Sequence, residues 1–299
     1  MKTLVTGGQG FIGSHLVDKL ADLGHEVVVV DDNSATCNGK FYTNSEAQYH
    51  KVTICDYDRM RPLFDEVGVV FHLAAESRIQ PSILNPTYAT QVNVAGTCNV
   101  LQCARDAGVD RVVYSSTSAG YGLKNEPPLK EDMPKDCLNP YSVTKCAGEE
   151  LCIMYTDLFG LKTVSFRYFN VYGERQPLIG QYAPVVGLFM EQYRKGTPMT
   201  IVGDGLQRRD FTHVRDVVQA NILAAFSENE AIFGQVFNVG TGKNHSVLEL
   251  AQIIGGEYVH IPNRPGEAKN TLADNTKIKA LLKWDSTVNF EEWIREQKL

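Results

Sequence analysis

The run Thr6-Gly7-Gly8-Gln9-Gly10-Phe11-Ile12-Gly13 most restricts what this chain can become. It follows an apolar strand signal at Leu4-Val5. It precedes Phe11 to Leu23, where Ile12, Leu16, Leu20 and Leu23 recur at helical spacing and Gly24 marks the stop. Glycines at such a strand-to-helix turn permit a tight bend and let the backbone approach a diphosphate closely. The helix N-terminus behind them offers free N–H groups and the positive end of a dipole. A second apolar strand, Val27 to Val30, ends on Asp31, 21 residues past Gly10. A carboxylate there hydrogen-bonds a ribose 2′-hydroxyl and repels a 2′-phosphate, so the pattern predicts NAD over NADP.

The same rhythm continues downstream. Val69 to Leu73, Arg111 to Ser115 and Thr163 to Arg167 read as strands, with helical patterns around 87–107 and 141–159 between them. Strand and helix in alternation predict an α/β fold, a doubly wound parallel sheet of the Rossmann type whose ligands bind beyond the strands' carboxyl ends. After about residue 170 the rhythm breaks. Residues 173–184 show little periodicity, a helix (185–195) and a short strand near Thr200-Ile201-Val202 follow, and helix and strand return at 213–226 and 235–239. Pro262 to Asn270 is irregular and precedes a terminal helix. The expected division is a nucleotide-binding domain of residues 1–169 plus about 210–242, with a smaller, discontinuous substrate lobe of about 170–209 plus 243–299.

Composition narrows the partners. Of 299 residues, 43% are hydrophobic and 21% charged, which supplies a sizeable core. The net charge of −6 argues against nucleic acid or an anionic membrane as partner. A few local arginines still suffice to hold a small diphosphate. The seven cysteines, at 37, 55, 98, 103, 137, 146 and 152, include no CxxC and predict reduced thiols in a cytoplasmic protein. The histidines show no zinc spacing, so no metal is expected. The chain opens on a strand, leaving no room for a signal peptide, and no apolar run approaches the ~20 residues of a membrane span.

Catalytic candidates lie in Pro140-Tyr141-Ser142-Val143-Thr144-Lys145. Pro140 suits the first turn of a helix, and a spacing of four sets the Tyr141 phenol beside the Lys145 ammonium. A neighbouring cation favours the phenolate, lowering a pKa otherwise near 10 and making Tyr141 a base for a substrate hydroxyl. Tyr114-Ser115-Ser116-Thr117 adds hydroxyls at a strand's carboxyl end, and Thr117 is placed to bond the same substrate oxygen.

These stretches resemble the extended short-chain dehydrogenase/reductase family, and within it the sugar-nucleotide epimerases and dehydratases, over essentially the whole chain. The resemblance is carried by TGGQGFIG, VVVVDDN, FHLAAES, NVAGTCNVL, VVYSSTSAGYG, NPYSVTKCAGEEL, RYFNVYGERQ, GDGLQRRDFTHVRDV and NRPGEAKNTLAD. It implies Tyr141, Lys145 and Thr117 as the catalytic set. It implies NAD contacts from Gly7, Gly10, Phe11, Ile12, Asp31, Asn33, Asp56, Tyr57, Leu73, Ala74, Ala75, Asn93 and Ser115, together with Tyr141 and Lys145. Substrate contacts fall on Asn170, Gln181, Tyr182, Val202, Arg209 and Arg264, with the two arginines clamping a diphosphate.

One departure discriminates within the family. The 4,6-dehydratases carry an Asp-Glu pair just after the catalytic Thr, and the related UDP-glucuronate decarboxylases keep a Glu at the second position. Here the two places hold Ser118 and Ala119, neither of which is an acid or base for elimination. Only Ala74-Ala75-Glu76-Ser77 has dehydratase-like wording. The implied reaction is therefore inversion at C4 of a UDP-hexose by transient oxidation. In galactose epimerases a bulky residue seven positions after the diphosphate Arg limits the sugar pocket. The same count from Arg264 reaches the small Thr271, implying room for an N-acetyl group. Two alternatives stay open: another sugar-nucleotide epimerase or reductase, such as a UDP-glucuronate 4-epimerase, and a non-catalytic NAD-binding regulator. The family also implies a homodimer through the helices near 88–107 and 141–159.

Overall fold

A computed structural model describes residues 1–35, 39–178, 183–263 and 268–297. Six parallel strands carry the sheet: β1 (Lys2–Thr6), β2 (Glu26–Asp31), β3 (Ala47–Lys51), β4 (Val67–His72), β5 (Arg111–Thr117) and β6 (Lys162–Tyr168). A seventh, Gln235–Val239, completes it beside β6. The order is β3-β2-β1-β4-β5-β6-(Gln235–Val239), so the chain winds one way to β3 and then the other from β4. The point of reversal lies between β1 and β4, where Thr6 pairs with Val30 on one side and His72 on the other. A crevice opens at the carboxyl ends there, and doubly wound sheets bind nucleotides in that place.

Period-two alternation sorts the strand residues onto the two faces. Val5, Val27, Val29, Phe71, Val113, Phe166 and Phe237 face one core, which the helices Phe11–Asp22 and Val214–Ala225 cover. Leu4, Val28, Val30, Val70, Val112 and Tyr114 face the other, beneath the helices Thr97–Ala107 and Pro140–Phe159. Burial on both faces is what makes these strands continuous apolar runs. A third core, with Phe189, Ile201, Phe211, Leu250, Phe290 and Trp293, belongs to the smaller lobe.

Four expectations need correction. The helical pattern of 87–107 is broken: helix Pro86–Thr90 passes into a π-turn at Gln91–Gly96 before Thr97–Ala107 resumes. The cause is tertiary: Asn93 is fully buried with its amide fixed to Glu76, and Gly96 lies where a Cβ would meet Ile54 at 2.7 Å. Strand β3 carries no apolar signal, being an edge strand with mixed exposure. The terminal helix is two helices, Thr276–Leu282 and Phe290–Glu296. The first belongs to the sheet rather than to the smaller lobe: Ile278, Leu282 and Trp284 join the first core, and Trp284 Nε1 donates to the Asp216 carbonyl at 2.8 Å.

Candidate active site

The cradle begins where β1 ends. Gly7 has φ of +72°, and a Cβ on it would stand 2.7 Å from the Ala74 nitrogen, so β1 and the exit of β4 meet backbone to backbone. A Cβ on Gly13 would run into the Gly7 carbonyl oxygen. Only glycine tolerates both contacts. Helix Phe11–Asp22 starts from Gly10 with no side-chain cap and no acidic residue in its first turn. Its first N–H groups and dipole end therefore face the crevice, as an anion requires. At the tip of β2, Asp31 accepts from the N–H groups of Gln9 (3.0 Å) and Asn33 (2.9 Å), and Asn33 Nδ2 donates to Gln9 Oε1 at 3.0 Å. Burial raises the Asp31 pKa, and the two backbone donors oppose that rise. An uncapped helix N-terminus with a carboxylate rim fits the diphosphate and ribose of NAD. Gly7, Gly10, Phe11, Ile12, Asp31 and Asn33 would hold that part of it.

The other expected cofactor residues divide between wall and brace. Leu73, Ala74 and Ala75 form the wall after β4, with the Leu73 and Ala74 N–H groups bonded to Thr6 Oγ1 at 3.2 Å. Asp56 caps a short helix through the Arg59 N–H (3.1 Å), and the Tyr57 hydroxyl turns to Asp106 at 2.6 Å. Asn93 braces the site from behind, bonding Glu76 and donating to Thr144 Oγ1 at 3.0 Å. Ser115 Oγ lies 3.0 Å from the Tyr168 hydroxyl.

The side chains expected to be catalytic come from the next strand and its following helix. β5 ends on Thr117, and the helix Pro140–Phe159 starts with Pro140 in its first turn and an Asn139–Ser142 capping box. Ser82 Oγ accepts the Tyr141 N–H at 3.0 Å and fixes the start of that helix. Thr117, at the strand end, stands near enough to Tyr141, at the helix start, to lower its phenol pKa. Lys145 is buried, its Nζ 4.3 Å from the Tyr114 ring centre. The expected lowering of the phenol by Lys145 is not what governs here. Burial dominates both groups: it raises the Tyr141 pKa against the pull of Thr117, and it lowers Lys145 to about 7.

On the substrate side, Asn170 follows β6 with φ of +29°. Its amide donates to the Asp210 carbonyl (3.0 Å) and Thr271 Oγ1 (3.2 Å). Arg209 Nη1 donates to the Arg208 carbonyl at 3.0 Å, and Val202 ends a strand, Met199–Val202, paired with Tyr258–Ile261. Gln181, Tyr182 and Arg264 lie outside the described residues. Asp210 went unnoticed in the sequence. Its buried carboxylate accepts from Thr241 N and Oγ1, Gly242 N and Ala273 N at 2.8–3.1 Å, gathering three segments around Asn170 and Thr271. Its place inside RRDF, beside a candidate diphosphate arginine, was the available signal.

Residues 3–240 match the model of the NAD dependent epimerase/dehydratase family. This chain belongs to that family. The UDP-glucose 4-epimerase of Mycolicibacterium smegmatis is 39% identical over 305 residues, covering 98% of this chain and 96% of that one. The putative UDP-glucose 4-epimerase of Methanocaldococcus jannaschii is 38% identical over 300 residues, with 98% and 95% coverage. A crystal structure of UDP-glucose 4-epimerase with UDP-glucose, from Thermotoga maritima, superposes with a TM-score of 0.93 at 35% identity, covering 100% of this chain and 97% of that one. Two positions follow Thr117 before the turn closes on Gly120 and Tyr121. They are Ser118 and Ala119, in a short turn at the site's edge.

Proposed function

We propose that the protein is a UDP-hexose 4-epimerase, inverting C4 of UDP-glucose and UDP-galactose through a transient 4-keto sugar. The observation that carries this reading is the proximity of Thr117 to Tyr141, with Thr117 followed by Ser118 and Ala119, two residues that offer neither acid nor base for elimination. NAD, when bound, supplies the acceptor and donor of hydride. Tyr141 takes the proton of the C4 hydroxyl and later returns one to the same oxygen. Thr117 holds the phenol toward that oxygen and favours its ionised form. Lys145 places positive charge in the same buried pocket, where a charge acts more strongly than in water. Arg209, with Arg264, holds the diphosphate. Binding energy gathered there is remote from the reacting carbon and keeps the sugar in the pocket between the two half-reactions.

The reading extends to the sugar, the assembly and the setting. Thr271, small and close to Asn170, leaves room for a C2 N-acetyl group, so UDP-GlcNAc and UDP-GalNAc are proposed as further substrates. A homodimer is proposed through the Thr97–Ala107 and Pro140–Phe159 helices, where Leu158 is 70% exposed. A cytoplasmic location agrees with six free thiols among the described residues. No described helix is long and apolar enough to cross a membrane.

The test is incubation of the purified protein with UDP-glucose and, separately, UDP-N-acetylglucosamine, with no NAD added, followed by proton NMR of the separated products. The C4 epimer should appear with no net NADH. An unchanged UDP-glucose sample would overturn the assignment. A rate on the N-acetyl sugar below about a thousandth of the UDP-glucose rate, a gap of about 4 kcal/mol, would overturn its extension.

A further inference from the structure

Glu149 stands one turn beyond Lys145 on the catalytic helix and is fully buried. Its carboxylate accepts from Ser116 Oγ at 2.5 Å and from Arg167 Nε and Nη2 at 2.9 Å each. Lys135 Nζ lies 3.3 Å from Oε2. Ser116 immediately precedes Thr117 on β5, and Arg167 lies near the end of β6, three residues before Asn170. One carboxylate thus ties the helix of Tyr141 and Lys145 to both strand ends that furnish the site. Stability is a weak reason for this arrangement, because replacing a buried ion pair by apolar groups of like volume is often neutral or favourable.

The neighbours of Lys145 supply a better reason. From β5 it meets the face of the Tyr114 ring, and from β4 it meets His72, which burial keeps neutral by lowering its pKa. On its own helix Cys146, Glu149 and Cys152 are the groups whose charge would act on it, and burial pushes both thiols upward, leaving them uncharged. Among these groups Glu149 carries the negative charge. Without it, the buried Arg167 guanidinium would lose its carboxylate partner in the same interior, whereas the partly exposed Lys135 keeps Glu150.

We propose that Glu149 is a positioning residue for epimerisation, acting through Lys145: it anchors the catalytic helix to Ser116 and Arg167 and supplies the charge that balances the buried ammonium. The proposal rests on the functional reading above. Opposite charge favours protonation of Lys145, and loss of that charge disfavours it, by about one pH unit or more.

The experiment is the pH profile of kcat for UDP-glucose in the wild type, Glu149→Gln, Arg167→Gln and the double variant, each checked for fold by circular dichroism and for bound NAD. In Glu149→Gln the limb set by Lys145 should move down by about 1 pH unit, with KM within about threefold of the wild type. In Arg167→Gln, where the carboxylate is less compensated, it should move up. The double variant should fall between them. If Glu149→Gln fails to fold, the other two variants decide by the same limb. A purely structural role would lower activity without moving the limb, and unshifted limbs in the folded variants overturn the proposal. A wild type that turns over no UDP-hexose overturns the functional reading itself.

Discussion

The Asn170 amide reaches Thr271 Oγ1 at 3.2 Å across 101 residues of chain, and the Asp210 N–H approaches the same oxygen at 3.3 Å. Thr271 is therefore tied to Asn170 and to the backbone at Asp210. Its hydroxyl holds Asn170 in a left-handed conformation, at φ of +29°, that a non-glycine residue keeps only when its surroundings impose it.

Thr271→Val keeps the volume and removes the acceptor. One buried hydrogen bond is worth about 1 kcal/mol, more when a donor is left unpaired. KM for UDP-glucose should rise about tenfold with kcat within threefold, since a ground-state contact is lost rather than a proton carrier. Steady-state kinetics decide it: a fall in kcat at constant KM would place Thr271 in the chemical step instead.

Tyr141→Phe deletes the proton acceptor and keeps the ring. General acid–base catalysis contributes about 10²- to 10⁴-fold, and kcat should fall within that range while NAD remains bound. Thr117→Val removes the hydroxyl that favours the phenolate, so the limb of the kcat profile set by Tyr141 should move to higher pH. A Tyr141→Phe protein retaining more than about a tenth of wild-type kcat would assign the proton to another group.

Asp31 is pinned by Gln9 and Asn33 and presents its carboxylate at the tip of β2. Asp31→Ala should weaken NAD about tenfold to a hundredfold, as loss of a charged hydrogen bond does, and narrow the preference over NADP. Calorimetric titration of cofactor-depleted protein measures both. An unchanged NAD-to-NADP ratio would remove Asp31 from ribose recognition.

Much of this architecture was legible because backbone constraints write themselves into residue types. Gly7 and Gly13 are glycines since a Cβ would strike Ala74 and the Gly7 carbonyl, and Asp31 follows them at the interval set by one helix and one strand. Period-two runs such as Val27 to Val30 disclose burial on both faces. Strand β3 was invisible because an edge strand is wetted and needs no apolar run. The π-turn at Gln91–Gly96 arises from a tertiary contact, Asn93 to Glu76, that helical periodicity does not encode. The pairing of Glu149 with Arg167 emerges only when the helix is laid on β5 and β6. The directions of the Tyr141 and Lys145 pKa values likewise depend on depth, which spacing alone does not report.

Acid should destabilise the fold through histidines kept neutral in the interior. Burial lowers His213 from 6.5 to about 4, against the pull of Glu174 and Asp216 and with Arg215 and His15 acting in the same direction as burial. His15, His25 and His72 are lowered as well, each chiefly by burial. A histidine whose folded pKa lies below its unfolded value binds fewer protons in the native state between the two. Its contribution is complete above about 6.5 and is lost as pH falls toward the folded value. The Tm should therefore decline steadily between pH 6.5 and pH 4. His213 Nδ1 also accepts the Arg215 N–H at 3.2 Å, capping the helix Val214–Ala225. Asparagine preserves a cap acceptor without titrating, so His213→Asn should flatten part of this slope while changing the Tm at pH 8 by only a few degrees. Scanning calorimetry of the two proteins across that range is the measurement, and parallel slopes would show that His213 does not carry the acid sensitivity.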